Sequence, residues 1–397
     1  MPDDSLRCWV PYPPAPVPHT PDGPLKGLTM AVKDLFDVKG YPTSAGSPHM
    51  LAMSGLKKRH APLVAQLLKA GASFAGKTIT DELAFSLNGK NAHFGAPVNA
   101  AAPGRITGGS SSGSASAVSG GLVDFALGTD TGGSVRAPAS YCGLFGIRPT
   151  HGRVSLKGCW PLAVSFDTPG YFARDGAGFA RIAPVFLGRD KAPLPAKPRL
   201  LLARDMFDQA VPDARAVLAD AARRISLTLG EMEEVTLAKD LDALYWAFRW
   251  LQGREAWQAD GAMIERYAPP LGPGVVERFA FGRTVTDEQV ASGDRTRAAF
   301  RRALARLLGK DGVIVMPTVP DVAPLTTTSE ADLDDFRNRA LRLLCPSGLS
   351  GFPQISIPCA RRDGAPLGLS IMGPPGSDLS LVELAVRIEA AARIRIA

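Results

Sequence analysis

Apolar residues along this chain recur at two periods, one suited to strands and one to helices. Polar and prolyl residues dominate positions 1–24, which reads as an irregular arm. From Leu28 the pattern turns apolar, and LTMAVKDLFDV, ending at Val38, predicts a short strand and turn. PLVAQLLKAGA, from Pro62, spaces its apolar residues as a helix does, with Gly71 as its stop. SFAGKTI then predicts a strand and DELAFSLNG a short helix. Two glycine-rich loops, TGGSSSGSASAVSGG (107–121) and TDTGGSVR (129–136), flank the apolar run LVDFALG. Linkers do not usually sit between core strands, so these loops are read as part of a folded core.

Further on, DKAPLPAKP (190–198) reads as a surface connector and LLLAR after it as a new strand. Residues 208–308 are mainly helical in pattern, interrupted by a turn at 268–275, and suggest a cap on, or an insertion into, one core. GVIVMPTVP (312–320) predicts a buried strand, and FPQISIPCA and LGLSIMG a late hairpin pair. LSLVELAVRIEAAARI (379–394) predicts a closing amphipathic helix. Strands alternating with helices, without an internal repeat, point to an α/β fold. The division expected is an arm over 1–24 and one large domain over 25–397 that carries the helical segment.

Composition narrows the function class. Apolar residues make up 45% of the 397 positions and charged residues 21%, the ordinary globular range. No stretch of 18 uninterrupted apolar residues is present, so no membrane-spanning helix is expected. The start of the chain is acidic and then prolyl, unlike a secretory signal. Five cysteines without a CxxC pair suggest neither a disulfide framework nor a zinc ribbon. A reducing cytoplasm is the expected home. The net charge of +7 comes from arginines scattered along helical stretches, which argues for a solvated basic exterior and against a nucleic-acid surface.

Three features stand apart from ordinary core sequence. Lys33 sits among Met30, Ala31, Val32, Leu35 and Phe36, and buried lysines are rare unless paired or functional; a lysine reaching out to solvent beside Asp34 is the plain alternative. Gly108 to Ser114 can bring backbone close to a ligand, but the phosphate-loop pattern GxxxxGK[ST] is absent. Ser134 lies on a TGGS turn after an apolar strand, where a nucleophile beside oxyanion-binding amides could be presented; alone, a turn serine is the commoner explanation. His19, His49, His60, His93 and His151 offer no convincing catalytic base, and His93 suits a pocket wall better. Without a histidine, the base available to a serine is a desolvated lysine. No spacing of His, Cys and acids suggests a metal site, and no cofactor is expected.

In combination these segments are far more specific. AVKD, GGSSSGSASAVSGG and GTDTGGSVRAPASYCGLFGIRPTHG, in that order, resemble the amidase signature family of serine hydrolases. SFDTPGYFARD, VMPTVP and SGFPQISIP extend the likeness over most of the chain. The resemblance implies an amidase-signature fold, with a central mixed β-sheet flanked by many helices. It implies a Ser–Ser–Lys triad with Ser134 as nucleophile, Ser110 as relay after a cis peptide bond, and Lys33 as base. Oxyanion amides would come from Thr131, Gly132, Gly133 and Ser134, and Ser111, Asp130 and Arg136 would support the loops. Ser112 departs from the family, which more often has glycine there. Plant indole-3-acetamide amidohydrolases are similar in carrying GGSSSGSA, NAHxG and GTDTGGSVRxPASYCG. The activity implied is hydrolysis of a small amide substrate, with indole-3-acetamide foremost and a homodimer left open. An amidotransferase A-type subunit or a silent amidase-like scaffold are the alternatives. Trp246, Trp250 and Trp257 could hold an aryl group or simply form the helical core of the cap.

Overall fold

A computed structural model describes residues 4–392. The N-terminal arm is irregular yet docked: Trp9 bridges Thr78, and the Tyr12 hydroxyl donates to Asp34 at 2.7 Å. There follow β1 (Thr29–Lys33), α1 (Pro48–Ser54), α2 (Pro62–Lys69) and β2 (Ser73–Thr78), then a single tight turn of helix at Glu82–Ala84. The glycine-rich region forms α3 (Ser112–Ser119), β3 (Phe125–Asp130), α4 (Arg136–Tyr141) and β4 (Phe145–Arg148). Next come β5 (Thr168–Ala173), α5 (Gly176–Leu187), β6 (Arg199–Ala203), α6 (Arg204–Phe207), α7 (Pro212–Leu229) and β7 (Met232–Val235). Three long helices, α8 (Leu241–Tyr267), α9 (Val275–Thr284) and α10 (Asp287–Leu308), precede β8 (Gly312–Pro317). The chain closes with α11 (Glu330–Ser350), β9 (Gln354–Arg362), β10 (Ala365–Met372) and α12 (Asp378–Ala392). Arg393 and Ile394 of the expected closing helix lie outside the described residues.

The ten strands form one sheet in the order β2-β1-β3-β5-β4-β9-β10-β8-β6-β7. It is mixed. β1 runs parallel to β2 and β3, and β6 parallel to β8 and β7, whereas the strands between are antiparallel. The late hairpin is present as β9 and β10. Every residue of β3, β5, β8 and β10 is buried, so both faces of the sheet are covered, as continuous apolar strands demand. The α/β class is the one the pattern predicts, and the mixed sheet flanked by helices, in a single large domain, is the one the resemblance implies.

Residues 208–308 divide in two. β7 joins the sheet edge beside β6, and α7 packs on β9 and α12. The helix α8 packs on α9, α10 and α11, and α10 packs on α11 as well. Because β1 and β3 are parallel, Lys33 and Asp130, their last residues, come out at the same carboxyl end of the strands. Loops at the carboxyl ends of parallel strands are where such sheets hold ligands.

Candidate active site

Lys33 is wholly buried at the end of β1, and the strand leading to it packs among apolar residues. Its Nζ has three hydroxyl partners: Ser110 Oγ at 2.8 Å, Ser111 Oγ at 3.0 Å and Thr129 Oγ1 at 2.8 Å. Burial lowers its pKa to about 7, while the acidic residues Asp81, Asp130 and Asp167 pull the other way. The lysine does not reach solvent, and Asp34 beside it pairs with Lys77 instead, at 2.5 Å. The peptide bond between Gly109 and Ser110 is cis. Gly109 sits against Asp81, whose Oδ2 would lie 2.2 Å from any Cβ placed there.

The proton inventory at Nζ is constrained. A neutral amine has two N–H donors and one lone pair. The Ser111 hydroxyl donates to the Thr129 carbonyl at 3.3 Å, so it accepts from Lys33. If Thr129 Oγ1 accepts the second N–H, the lone pair is left facing Ser110.

Ser134 follows β3 by four residues and is 4% exposed. Its hydroxyl makes no hydrogen bond among the described residues, to Ser110 or to any other group, and it lines a small, narrow cavity with Phe85, Leu87, Gln252, Arg337 and Leu341. Gly132 is pressed on by Phe248 of α8, whose Cζ would lie 2.7 Å from a Cβ there. Gly133 has φ +118°, in the left-handed region that favours glycine.

Of the four amides expected to face an oxyanion, Gly133 N–H is already committed, donating to Asp130 Oδ1 at 2.9 Å. The amides of Thr131, Gly132 and Ser134 have no acceptor among the described residues. Asp130 also accepts from the amides of Val135 and Arg136, both at 3.2 Å, and from Arg136 Nε at 2.9 Å and Nη2 at 2.8 Å. Burial alone would push its carboxyl up. The Arg136 guanidinium, helped by Arg148, more than offsets this and holds it well below the usual carboxylate range. Ser111, Asp130 and Arg136 therefore all stand where they can brace the two loops.

Several residues at this site do not stand out in the sequence. Thr129 is the third partner of Lys33. Arg148 donates to the Asp130 carbonyl and to Phe166 O. Asp167, inside the SFDTPG motif, accepts from Thr131 Oγ1 at 2.6 Å, and burial pushes its pKa up to about 6. None of the five histidines hydrogen-bonds to Lys33, Ser110 or Ser134; His93 Nε2 lies 2.9 Å from Glu82 Oε1. Trp246, Trp250 and Trp257 do not line the cavity at Ser134, and Trp246 is 44% exposed. Among the described residues, no group of three His, Cys, Asp or Glu side chains could hold a metal ion, and no helix is long and apolar enough to cross a membrane.

The amidase family profile matches residues 15–382. Amidase 1 of Arabidopsis thaliana is 41% identical, over 90% of this chain and 92% of that protein. Amidase 1 of Oryza sativa subsp. japonica is 38% identical, over 93% and 91% respectively. A glutamyl-tRNA(Gln) amidotransferase subunit of Methanosarcina mazei is more distant, at 30% identity over 93% of this chain and 85% of that protein. A solved structure described as a crystal structure of amidase superposes with a TM-score of 0.84, at 32% identity, covering 93% of this chain and 85% of its own.

Proposed function

Since the chain belongs to the amidase family and is a hydrolase acting on amide C–N bonds, we propose that it hydrolyses a small primary amide through an acyl-enzyme on Ser134. The observation that carries this reading is the fully buried Lys33 amine, 2.8 Å from the Ser110 hydroxyl and with a pKa lowered to about 7. A lysine poised near neutrality can accept a proton at working pH.

In the proposed sequence, the Ser134 hydroxyl turns toward Ser110 when substrate binds. Its proton passes to Ser110 as the Ser110 proton passes to Lys33. Ser134 Oγ bonds to the amide carbon, and the oxyanion is met by the free amides of Thr131, Gly132 and Ser134. Collapse breaks the C–N bond, with the proton returned through Ser110 to the leaving nitrogen, which departs as ammonia. Water then attacks the ester by the same relay, giving the carboxylic acid and restoring Ser134.

Indole-3-acetamide is the substrate put forward by the resemblance to plant amidohydrolases, and the tryptophans of α8 add nothing to it. An amidotransferase-type role is the second reading, favoured by the more distant amidotransferase relatives. A cytoplasmic setting is proposed on the reduced cysteines, all five of which are free. The test is ammonia release from a panel of primary amides by the purified chain, with fluorophosphonate labelling mapped to Ser134. Release without any partner protein is expected; a chain that neither labels nor releases ammonia is not an amidase.

A further inference from the structure

The cavity at Ser134 is walled by Phe85, Leu87 and Leu341, and against this apolar lining stands the guanidinium of Arg337, from α11. Arg337 is 4% exposed, and its buried Nε and Nη1 have no hydrogen-bond acceptor. Its cationic neighbours are differently placed. Arg278 Nε donates to Phe85 O at 2.6 Å and its Nη1 lies 3.8 Å from Asp334, while Arg249 Nη1 donates to Tyr245 Oη at 2.9 Å and Asn338 Oδ1 at 3.2 Å. Deeper in the core, Arg136 and Arg148 are both held to Asp130. Arg337 alone of these five makes no hydrogen bond among the described residues. Burial, Arg278 and Arg249 all disfavour its charge, and only Asp334 and Tyr245 pull the other way.

A guanidinium does not shed its proton to relieve such a position. Burying a cation without a partner costs several kcal/mol, and a fold that keeps one beside a nucleophile leaves a place for an anion that arrives with the ligand. Gln252 of α8 is a second polar group on the same wall, and its side chain also makes no hydrogen bond among the described residues.

We propose that the acyl site of this amidase is built for an amide that carries a carboxylate, with Arg337 as the residue that binds it. The substrate class is the half-amide of a short dicarboxylic acid, and the product is the dicarboxylate plus ammonia. The planar guanidinium fork matches a carboxylate in two parallel hydrogen bonds. The inference rests on the amidase reading and replaces a neutral aryl acyl group with an anionic aliphatic one.

The experiment compares kcat/KM of the wild-type chain for succinamate and glutaramate with that for butyramide and valeramide, in which a methyl replaces the carboxylate, and for indole-3-acetamide. At least one anionic amide should be favoured about tenfold or more, the size of one charged hydrogen-bonded contact. Arg337→Met should remove that preference, raising KM for the anionic amides at least about tenfold more than for the neutral ones. Should the variant fail to fold, the wild-type ratio decides alone. A preference below tenfold, or an equal loss on both substrate types in a folded variant, overturns the inference while leaving the amidase reading intact. No turnover of any amide overturns both.

Discussion

The amine of Lys33 and the hydroxyl of Ser110 lie 2.8 Å apart although 77 positions separate them in the chain. β1 delivers the lysine to the carboxyl end of the strands, and the loop before α3 lays the serine over it. The contact is sealed from solvent on both sides, since each residue is wholly buried. A proton passes between these atoms directly, over one hydrogen bond.

Ser134→Ala should lower kcat by about four powers of ten, the usual cost of losing a nucleophile that acts with its base. The hydroxyl makes no hydrogen bond among the described residues, so its removal should leave the melting temperature nearly unchanged. Kinetics beside a melting curve check both halves. A folded variant retaining a tenth of wild-type kcat would rule out Ser134 as nucleophile.

The pH profile should carry the signature of Lys33. Only the neutral amine can accept a proton, so kcat/KM should rise with pH to a plateau above about 7 and fall tenfold per unit below it. Lys33→Arg should not restore activity, because a guanidinium stays charged. Stability follows the same shift. The folded pKa of about 7 lies below the ordinary 10.5, so between those values the unfolded chain binds one more proton. Stability should then climb with pH across that window relative to Lys33→Met, as paired urea titrations would reveal.

Much of this site is legible as residue types in order. A lysine inside MAVKDLF and a serine after TGG are each weak signals, and it is their sequence with GGSSSGSA that singles them out. What the order of residues does not carry is what joins them in space. Thr129 reads only as the start of a loop, Arg148 lies in a plain GIRP, and Arg337 in a charged stretch of α11. That helix is itself hidden in the pattern: Pro346, inside it, reads as a helix stop, yet the chain continues helically to Ser350. β5 is hidden for a related reason, since TPGYFA begins with two breakers. Pro169 is tolerated because β4 pairs only with residues 172 and 173, leaving that side of the strand without ladder bonds at Pro169. Gly170 is required because a Cβ there would lie 2.2 Å from Ile147 O.

Asp130→Asn should destabilise the protein by about 3–5 kcal/mol, because it strands two buried guanidinium groups, those of Arg136 and Arg148. The variant should also lose activity, since the same carboxylate holds the amides of Gly133, Val135 and Arg136 in the turn that carries Ser134. Urea denaturation measures the first effect. A loss under about 1 kcal/mol would mean that water or another acceptor reaches both arginines.

Thr129→Val gives the most specific test of the base. The change keeps shape and removes one acceptor, 2.8 Å from the Lys33 nitrogen. A protonated amine has three N–H groups and finds three hydroxyl oxygens here, whereas a neutral amine has two N–H groups and needs two acceptors. Losing Thr129 Oγ1 therefore penalises the charged form more, and the acidic limb of kcat/KM should move to lower pH. The plateau should fall as well, by about ten- to a hundredfold, because an N–H released from Thr129 competes for Ser110 and turns the lone pair away from it. A merely structural threonine would lower the plateau and leave the limb where it was. If the limb moved up instead, Thr129 would be donating to Lys33 rather than accepting, and the lone pair would face Thr129 in the resting protein.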